Sequence, residues 1–160
     1  MQDNNKQEIE LKFLFTGDEL TYKGYPSKRI HQCYLSIHPE VRLRKVEAEE
    51  KIKYVMTVKG EGDLSRDEYE ITIPESTYLS LRKNMVGEEI VKTRYKVPIY
   101  NDKLVADVDI FESHDLKTVE VEFESEADAS YFVTLPWFGR DVTINPVYKN
   151  KYIAMHGLLV

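Results

Sequence analysis

Charged residues recur at every second position in six stretches of this chain, a seventh sets Lys59 two residues after Thr57, and that rhythm confines it to a fold made largely of strands. The stretches are Glu8-Ile9-Glu10-Leu11-Lys12, Arg42-Leu43-Arg44, Thr57-Val58-Lys59, Glu68-Tyr69-Glu70, Lys92-Thr93-Arg94, Asp107-Val108-Asp109 and Glu120-Val121-Glu122. A strand sends alternate side chains to opposite faces, so each stretch presents charge on one side and mostly apolar residues on the other. Charged faces that converge would give the molecule a polar interior.

Taken singly, such a stretch also suits a half-solvated antiparallel sheet, or an edge strand whose charges guard against aggregation. Recurrence favours the first reading. Acids neighbour acids in four stretches and bases neighbour bases in two. Like charges on one face repel. A solvated surface gains nothing from that segregation, whereas a site holding cations with carboxylates and a polyanion with Lys and Arg requires it.

The 160 residues, 42% of them hydrophobic, are enough for one domain with a real core, and a single domain over 1–160 is expected. A net charge of −6 argues against a general nucleic-acid or membrane-surface binder. Cys33 is the lone cysteine, which excludes an internal disulfide and a multi-cysteine zinc site. The start lacks an apolar leader-like core and no run is long enough to span a bilayer, so a cytoplasmic protein is expected.

Alternating or β-branched runs predict eight strands near 7–16, 29–37, 40–48, 51–60, 66–74, 88–99, 103–111 and 116–125, a number that suits a closed barrel. Helices are predicted over 76–85, over 126–135 and after Pro146. The outward Ile9, Leu11, Phe13, Leu43, Met56, Val58, Val119 and Val121 offer them an apolar bed. The fold class is therefore α+β, an eight-stranded antiparallel β-barrel with helices packed around the outside.

Paired carboxylates without His or Cys suit hard cations such as Mg²⁺ or Mn²⁺, which also bind phosphate oxygens. Arg offers planar bidentate donors to phosphate and Lys a mobile point charge. Together they describe a site for a metal-chelated polyphosphate. Phosphoryl transfer there needs positioning and charge neutralisation, without a covalent nucleophile.

Glu8-x-Glu10-x-Lys12 resembles the signature of the CYTH domain, the triphosphate tunnel metalloenzymes. Val41-Arg42-Leu43-Arg44, Thr57-Val58-Lys59-Gly60, Arg66-Asp67-Glu68-Tyr69-Glu70, Lys92-Thr93-Arg94-Tyr95, Asp107-Val108-Asp109, Glu120-Val121-Glu122 and the segment 136–143 follow in the family's order. The resemblance implies a tunnel open at both ends and a divalent-metal-dependent triphosphatase acting on inorganic tripolyphosphate or an organic or nucleoside triphosphate. It matches Arg42, Arg44, Lys59, Lys92 and Arg94 to phosphate-gripping positions, with Lys12 pointing at the same anion. Glu8, Glu10, Glu120 and Glu122 match metal-holding positions, and Glu68, Glu70, Asp107 and Asp109 are further acidic tunnel residues. Ala106-Asp107 departs from the family's aromatic-Glu pair, so a weaker or water-mediated metal contact is expected at Asp107.

The reading makes Lys12, Lys92 and Glu70 the candidate catalytic residues. The attacking water needs a proton acceptor, for which Lys92, beside the cationic Arg94, and Glu70 compete. Two alternatives stay open: a class IV type adenylyl cyclase on the same fold, although no motif reads as an adenine site, and a non-catalytic polyanion-binding module. The partner is a triphosphate-containing small molecule rather than nucleic acid or membrane, and a homodimer is left open. His31, His38, His114 and His156 lack metal-ligand spacing, and Cys33 reads as a small packed side chain. Trp137 is expected to anchor the last helix. Arg66 either lines the tunnel or pairs with an acid. Lys149-Asn150-Lys151 reads as a solvated tail, with closure of a tunnel mouth as the alternative.

Overall fold

The alternation seen in the sequence becomes nine antiparallel strands in the computed structural model, which describes residues 5–159. They are β1 (Asn5–Phe15), β2 (Ser27–Ser36), β3 (Glu40–Ala48), β4 (Lys51–Lys59), β5 (Ser65–Thr72), β6 (Val86–Ile99), β7 (Leu104–Phe111), β8 (Lys117–Glu122) and β9 (Phe138–Asp141). The first eight close into a barrel in the order β1-β5-β4-β3-β2-β6-β7-β8, because β1 pairs with β5 through residues 5–9 and with β8 through residues 10–14. Closure leaves no open edge within that ring. The short β9, which sequence periodicity did not register, adds to β1 through Phe13 and Phe15.

Three helices lie outside: α1 (Glu75–Arg82), α2 (Glu126–Ser130) and α3 (Asn150–His156). None of the described helices is long and apolar enough to cross a membrane. Ser125 caps α2 by accepting from the Asp128 backbone N–H at 3.1 Å. The helix stops at Ser130 instead of running to 135. Phe132 turns inward against Phe123 and Phe138, and β-branched Val133 and Thr134 before Pro136 disfavour continuation.

The apolar layer lies outside the barrel wall, as expected. Outward Ile9, Phe13, Val108, Val119 and Val121 are buried beneath Phe132, Trp137 and Phe138, while Leu43 and Met56 pack with Cys33, Ile73 and Tyr78 under α1. Leu11 packs in the first of these clusters and Val58 is half-buried. Trp137 does not anchor the last helix. Its ring meets Phe15 at 5.9 Å and Phe138 at 4.5 Å, and its carbonyl accepts from the Thr16 N–H, fixing β9 beside β1.

A third apolar cluster sits at one end of the barrel, where Tyr34, Ile90 and Phe111 meet Val142, Tyr148 and Ile153. Tyr34, Ile90 and Phe111 share the inner face with Gln32, Lys92 and Asp109, so the C-terminal segment covers this end. Gly87 makes the close approach of α3 to β6 feasible: a Cβ there would stand 2.4 Å from the Ala154 carbonyl oxygen, and the residue has φ +68°.

Candidate active site

Seven strands deliver charged side chains to the barrel interior, and most of them wall one cavity of about 160 Å³. Its lining comprises Glu8, Glu10, Arg42, Arg44, Lys59, Glu68, Glu70, Arg94, Asp107, Glu120 and Glu122, together with Lys6. Lys6 was not singled out in the sequence, although it stands two residues before Glu8 and so in phase with Glu8-Glu10-Lys12. It pairs with the rim residue Glu122 at 3.1 Å.

Three of the expected site residues lie off that cavity. Lys92 and Asp109 have no solvent exposure, and Lys92 Nζ donates to Asp109 Oδ2 at 2.7 Å. Arg94 grips the same carboxylate with two donors, Nε to Oδ1 at 2.7 Å and Nη2 to Oδ2 at 2.8 Å. Asp109 is thus the counter-ion of the two bases on the neighbouring strand, set by the register Arg94↔Asp109. Lys12 faces a narrower hollow of about 50 Å³ at the end capped by the C-terminal segment. Its ammonium donates to the Tyr148 carbonyl at 2.7 Å and stands 3.6 Å from Glu120.

Arg66 also faces the narrow hollow, and pairs with Glu8 at 3.6 Å and Glu40 at 3.4 Å. The segment 149–151 is no solvated tail. Lys149 bonds to Asp63, Lys151 stands 3.5 Å from Glu40, and both line this hollow, because the helix behind them is drawn onto Tyr34 and Ile90.

Charge is unevenly matched along the main cavity. Lys59 Nζ donates to Glu8 at 2.8 Å and lies 3.5 Å from Glu68. Burial opposes ionisation of Glu8, yet a hydrogen bond with Glu68 and the charges of Lys59 and Arg42 outweigh it and hold Glu8 well below the usual carboxylate range. Burial and the neighbouring Glu8 carboxyl push Glu68 up to about 7. Glu10 is likewise pushed up to about 7 by burial and by the neighbouring Glu120 and Glu8.

The bases show the converse strain. Arg42 Nε is buried with no hydrogen-bond partner among the described residues, and Arg44 is matched only to the neutral Gln32 Oε1, at 2.8 Å. Burial and the adjacent guanidinium groups of Arg42 and Arg94 bring Arg44 down to about 10. A buried and a half-buried arginine that face a cavity without a carboxylate partner have the chemistry to take an external anion.

Residues 6–144 match the CYTH domain family. The chain belongs to the CYTH family. Among its relatives is an inorganic triphosphatase of Nitrosomonas europaea, 39% identical over 92% of this chain and 97% of the relative. An inorganic triphosphatase of Acetivibrio thermocellus is 29% identical over 92% and 93% of the two chains. A crystal structure of an inorganic triphosphatase superimposes with a TM-score of 0.65 at 35% identity, covering 92% of this chain and 94% of that one. A Pyrococcus horikoshii protein shares the fold, with a TM-score of 0.58 at 22% identity over 77% and 82%.

The residues of this CYTH chain suit a hard divalent cation. The available donors are carboxylates alone. Glu10 has no cationic partner within ion-pair distance among the described residues, and Glu68 Oε2 is buried without a hydrogen bond. Among the described residues no three acids or histidines already stand in a metal-ligating group. Lys59, Arg94 and Lys12 hold Glu8, Glu68 and Glu120 in ion pairs instead.

Proposed function

We propose that the protein is a triphosphatase, which binds a triphosphate in the charged cavity and hydrolyses its terminal phosphoanhydride. The observation that carries this reading is the pair Arg42, buried, and Arg44, half-buried, which line one cavity with Glu8, Glu10 and Glu68 but have no acidic partner within ion-pair distance among the described residues. The similar inorganic triphosphatases supply the reaction class.

In this reading Arg42, Arg44, Lys59 and Arg94 hold the phosphate oxygens, and Asp109 fixes the planar fork of Arg94 in place from behind. Triphosphatases of the CYTH family are metal-dependent, and for this chain we assign Mg²⁺ or Mn²⁺ to Glu8, Glu10, Glu120 and Glu122. When bound, the cation neutralises phosphate oxygens as charge shifts in the transition state. Water attacks the terminal phosphorus in line, the bridging P–O bond breaks, and inorganic tripolyphosphate yields orthophosphate and pyrophosphate. Glu70 is the preferred acceptor of the water's proton, since it lines the cavity and takes only a 3.3 Å hydrogen bond from the Thr57 hydroxyl. Lys92 has the less suitable position, behind Asp109.

One domain spanning 1–160 agrees with the packing of α3 onto the barrel's own inner residues, and a cytoplasmic setting agrees with the single, buried, unpaired Cys33. Phosphate release from tripolyphosphate, ATP and thiamine triphosphate, each with Mg²⁺, Mn²⁺ or EDTA, tests the function. Metal-dependent orthophosphate is the expected result. Cyclic AMP with pyrophosphate would identify a cyclase, and metal-dependent binding without product would identify a receptor.

A further inference from the structure

Arg44 on β3 and Arg94 on β6 reach the charged cavity from the strands on either side of β2, and they are held in two different ways. Asp109 grips Arg94 with a carboxylate, through Nε and Nη2. Arg44 is held by an amide instead: its Nε donates to Gln32 Oε1 at 2.8 Å, across the direct register Gln32↔Arg44 of β2 and β3. Among the described residues Arg44 makes no other hydrogen bond and has no carboxylate within ion-pair distance. Both of its Nη groups are left for a ligand.

Gln32 has no solvent exposure and stands behind Arg44, off the cavity lining. An amide buried that deeply needs partners for both of its ends. An arginine Nε can only donate, so the amide oxygen faces Arg44 while the amide nitrogen donates to the Tyr34 hydroxyl at 2.8 Å. The amide is pinned from both sides. Burial works against the charge of both arginines. At Arg94 the charge of Asp109 outweighs it and raises the group well above its ordinary value, whereas at Arg44 the charges of Arg42 and Arg94 add to it.

A carboxylate in place of the amide would accept the same bond and fix the guanidinium as firmly. It would also cancel the charge that a phosphate needs. We infer that Gln32 is a positioning residue of the site, one that fixes the Nε edge of Arg44 with a neutral acceptor and so leaves the charge and the Nη donors of Arg44 to the phosphates. The inference rests on the triphosphatase reading, and adds to it a residue outside the charge alternation, on the strand between the two that carry the arginines.

The test compares Gln32→Glu and Gln32→Met with the wild type in Tm, in calorimetric binding of tripolyphosphate in EDTA, and in its steady-state hydrolysis with Mg²⁺. Gln32→Glu keeps the size of the side chain and the bond to Arg44 but adds the opposing charge. We expect it to hold Tm at or above the wild-type value while raising Kd and KM about tenfold or more, the scale of one charge-assisted hydrogen bond. Gln32→Met keeps the charge of Arg44 and removes its anchor, so kcat falls further than KM rises. In an Arg44→Ala background, Gln32→Glu adds little further loss of affinity. Wild-type Kd and KM in Gln32→Glu, the same loss of affinity with and without Arg44, or activity losses that follow Tm in both variants overturn the inference and leave the triphosphatase reading intact. A wild type that binds tripolyphosphate without releasing phosphate overturns the triphosphatase reading, and the Kd comparison then decides the role of Gln32. Failure to bind it with either EDTA or Mg²⁺ overturns both.

Discussion

Lys92 Nζ and Asp109 Oδ2 stand 2.7 Å apart with no solvent contact, and Arg94 completes the group from the cavity side. Burial, and then the charge of Arg94, push Lys92 down to about 7 against the pull of Asp109. A lysine lowered in the folded state but ordinary in the unfolded chain destabilises the fold below about pH 7, where both states are charged. The penalty is relieved as pH rises from about 7 toward its ordinary value of 10.5. Lys92→Met should therefore be more stable relative to wild type at pH 7 than at pH 9.5, as read by urea unfolding. Its pH–rate profile should keep the wild-type shape, and a lost acid limb would return the proton-accepting role to Lys92.

Glu10 and Glu68, both raised to about 7, set the direction of a metal effect. Raised carboxyls favour the apo fold at low pH and cost it stability as pH rises from 4.5 through about 7. A divalent cation must displace those protons. The increase in Tm on adding Mg²⁺ or Mn²⁺ should accordingly be small at about pH 5.5 and grow up to about pH 8, with net proton release. Glu10→Gln should flatten that pH dependence, and an undiminished slope would remove Glu10 from the metal-binding set.

Removing a base assigned here to the phosphates should damage turnover more than folding. Arg42→Ala should lower kcat/KM by about 100-fold or more, the scale at which a preorganised charge acts on a transition state. Arg42→Lys should recover little, since a point charge does not replace a planar fork. Circular dichroism should show the barrel intact. Wild-type rates in Arg42→Ala and in Lys59→Ala together would sink the site assignment.

Gly87→Ala tests how the C-terminal segment is held. The added methyl meets the Ala154 carbonyl at a position whose φ already disfavours a side chain, so a loss of about 1–3 kcal/mol is expected. Faster hydrogen exchange should be confined to 146–158. Uniform loss of protection throughout the barrel would contradict this.

Seven of the eight barrel strands were legible because their period of two is carried by charge, a signal strong enough to mark register and face, whereas β2 has no such stretch and was read from an alternating or β-branched run that ends at His38-Pro39. β9 escaped because Phe138-Gly139-Arg140-Asp141 holds only four residues and owes its strand geometry to β1. The end of α2 was misread because its helical pattern continues through Tyr131 and Phe132, whereas the outer core claims Phe132. Within the site, periodicity identified which residues face inward but not how deep each one stands. That depth separates Arg94, on the cavity, from Lys92, one step further in and sealed by Asp109. The place of Lys149 and Lys151 on the narrow hollow depended on contacts with Asp63 and Glu40, more than 80 residues away in sequence, which local pattern does not reveal.

The C-terminal strap over Tyr34, Ile90 and Phe111 narrows one end of the barrel to a hollow of about 50 Å³, against about 160 Å³ for the charged cavity. A triphosphate held as proposed would then come and go, with its products, by the rim formed by Glu122, Asp107 and Lys6. Traffic through one doorway is sequential: a product would have to depart before the next triphosphate arrived. Turnover in such a vessel would slow as its own phosphorylated product accumulated and competed with substrate, so the rate would report how quickly the surroundings clear what the protein releases.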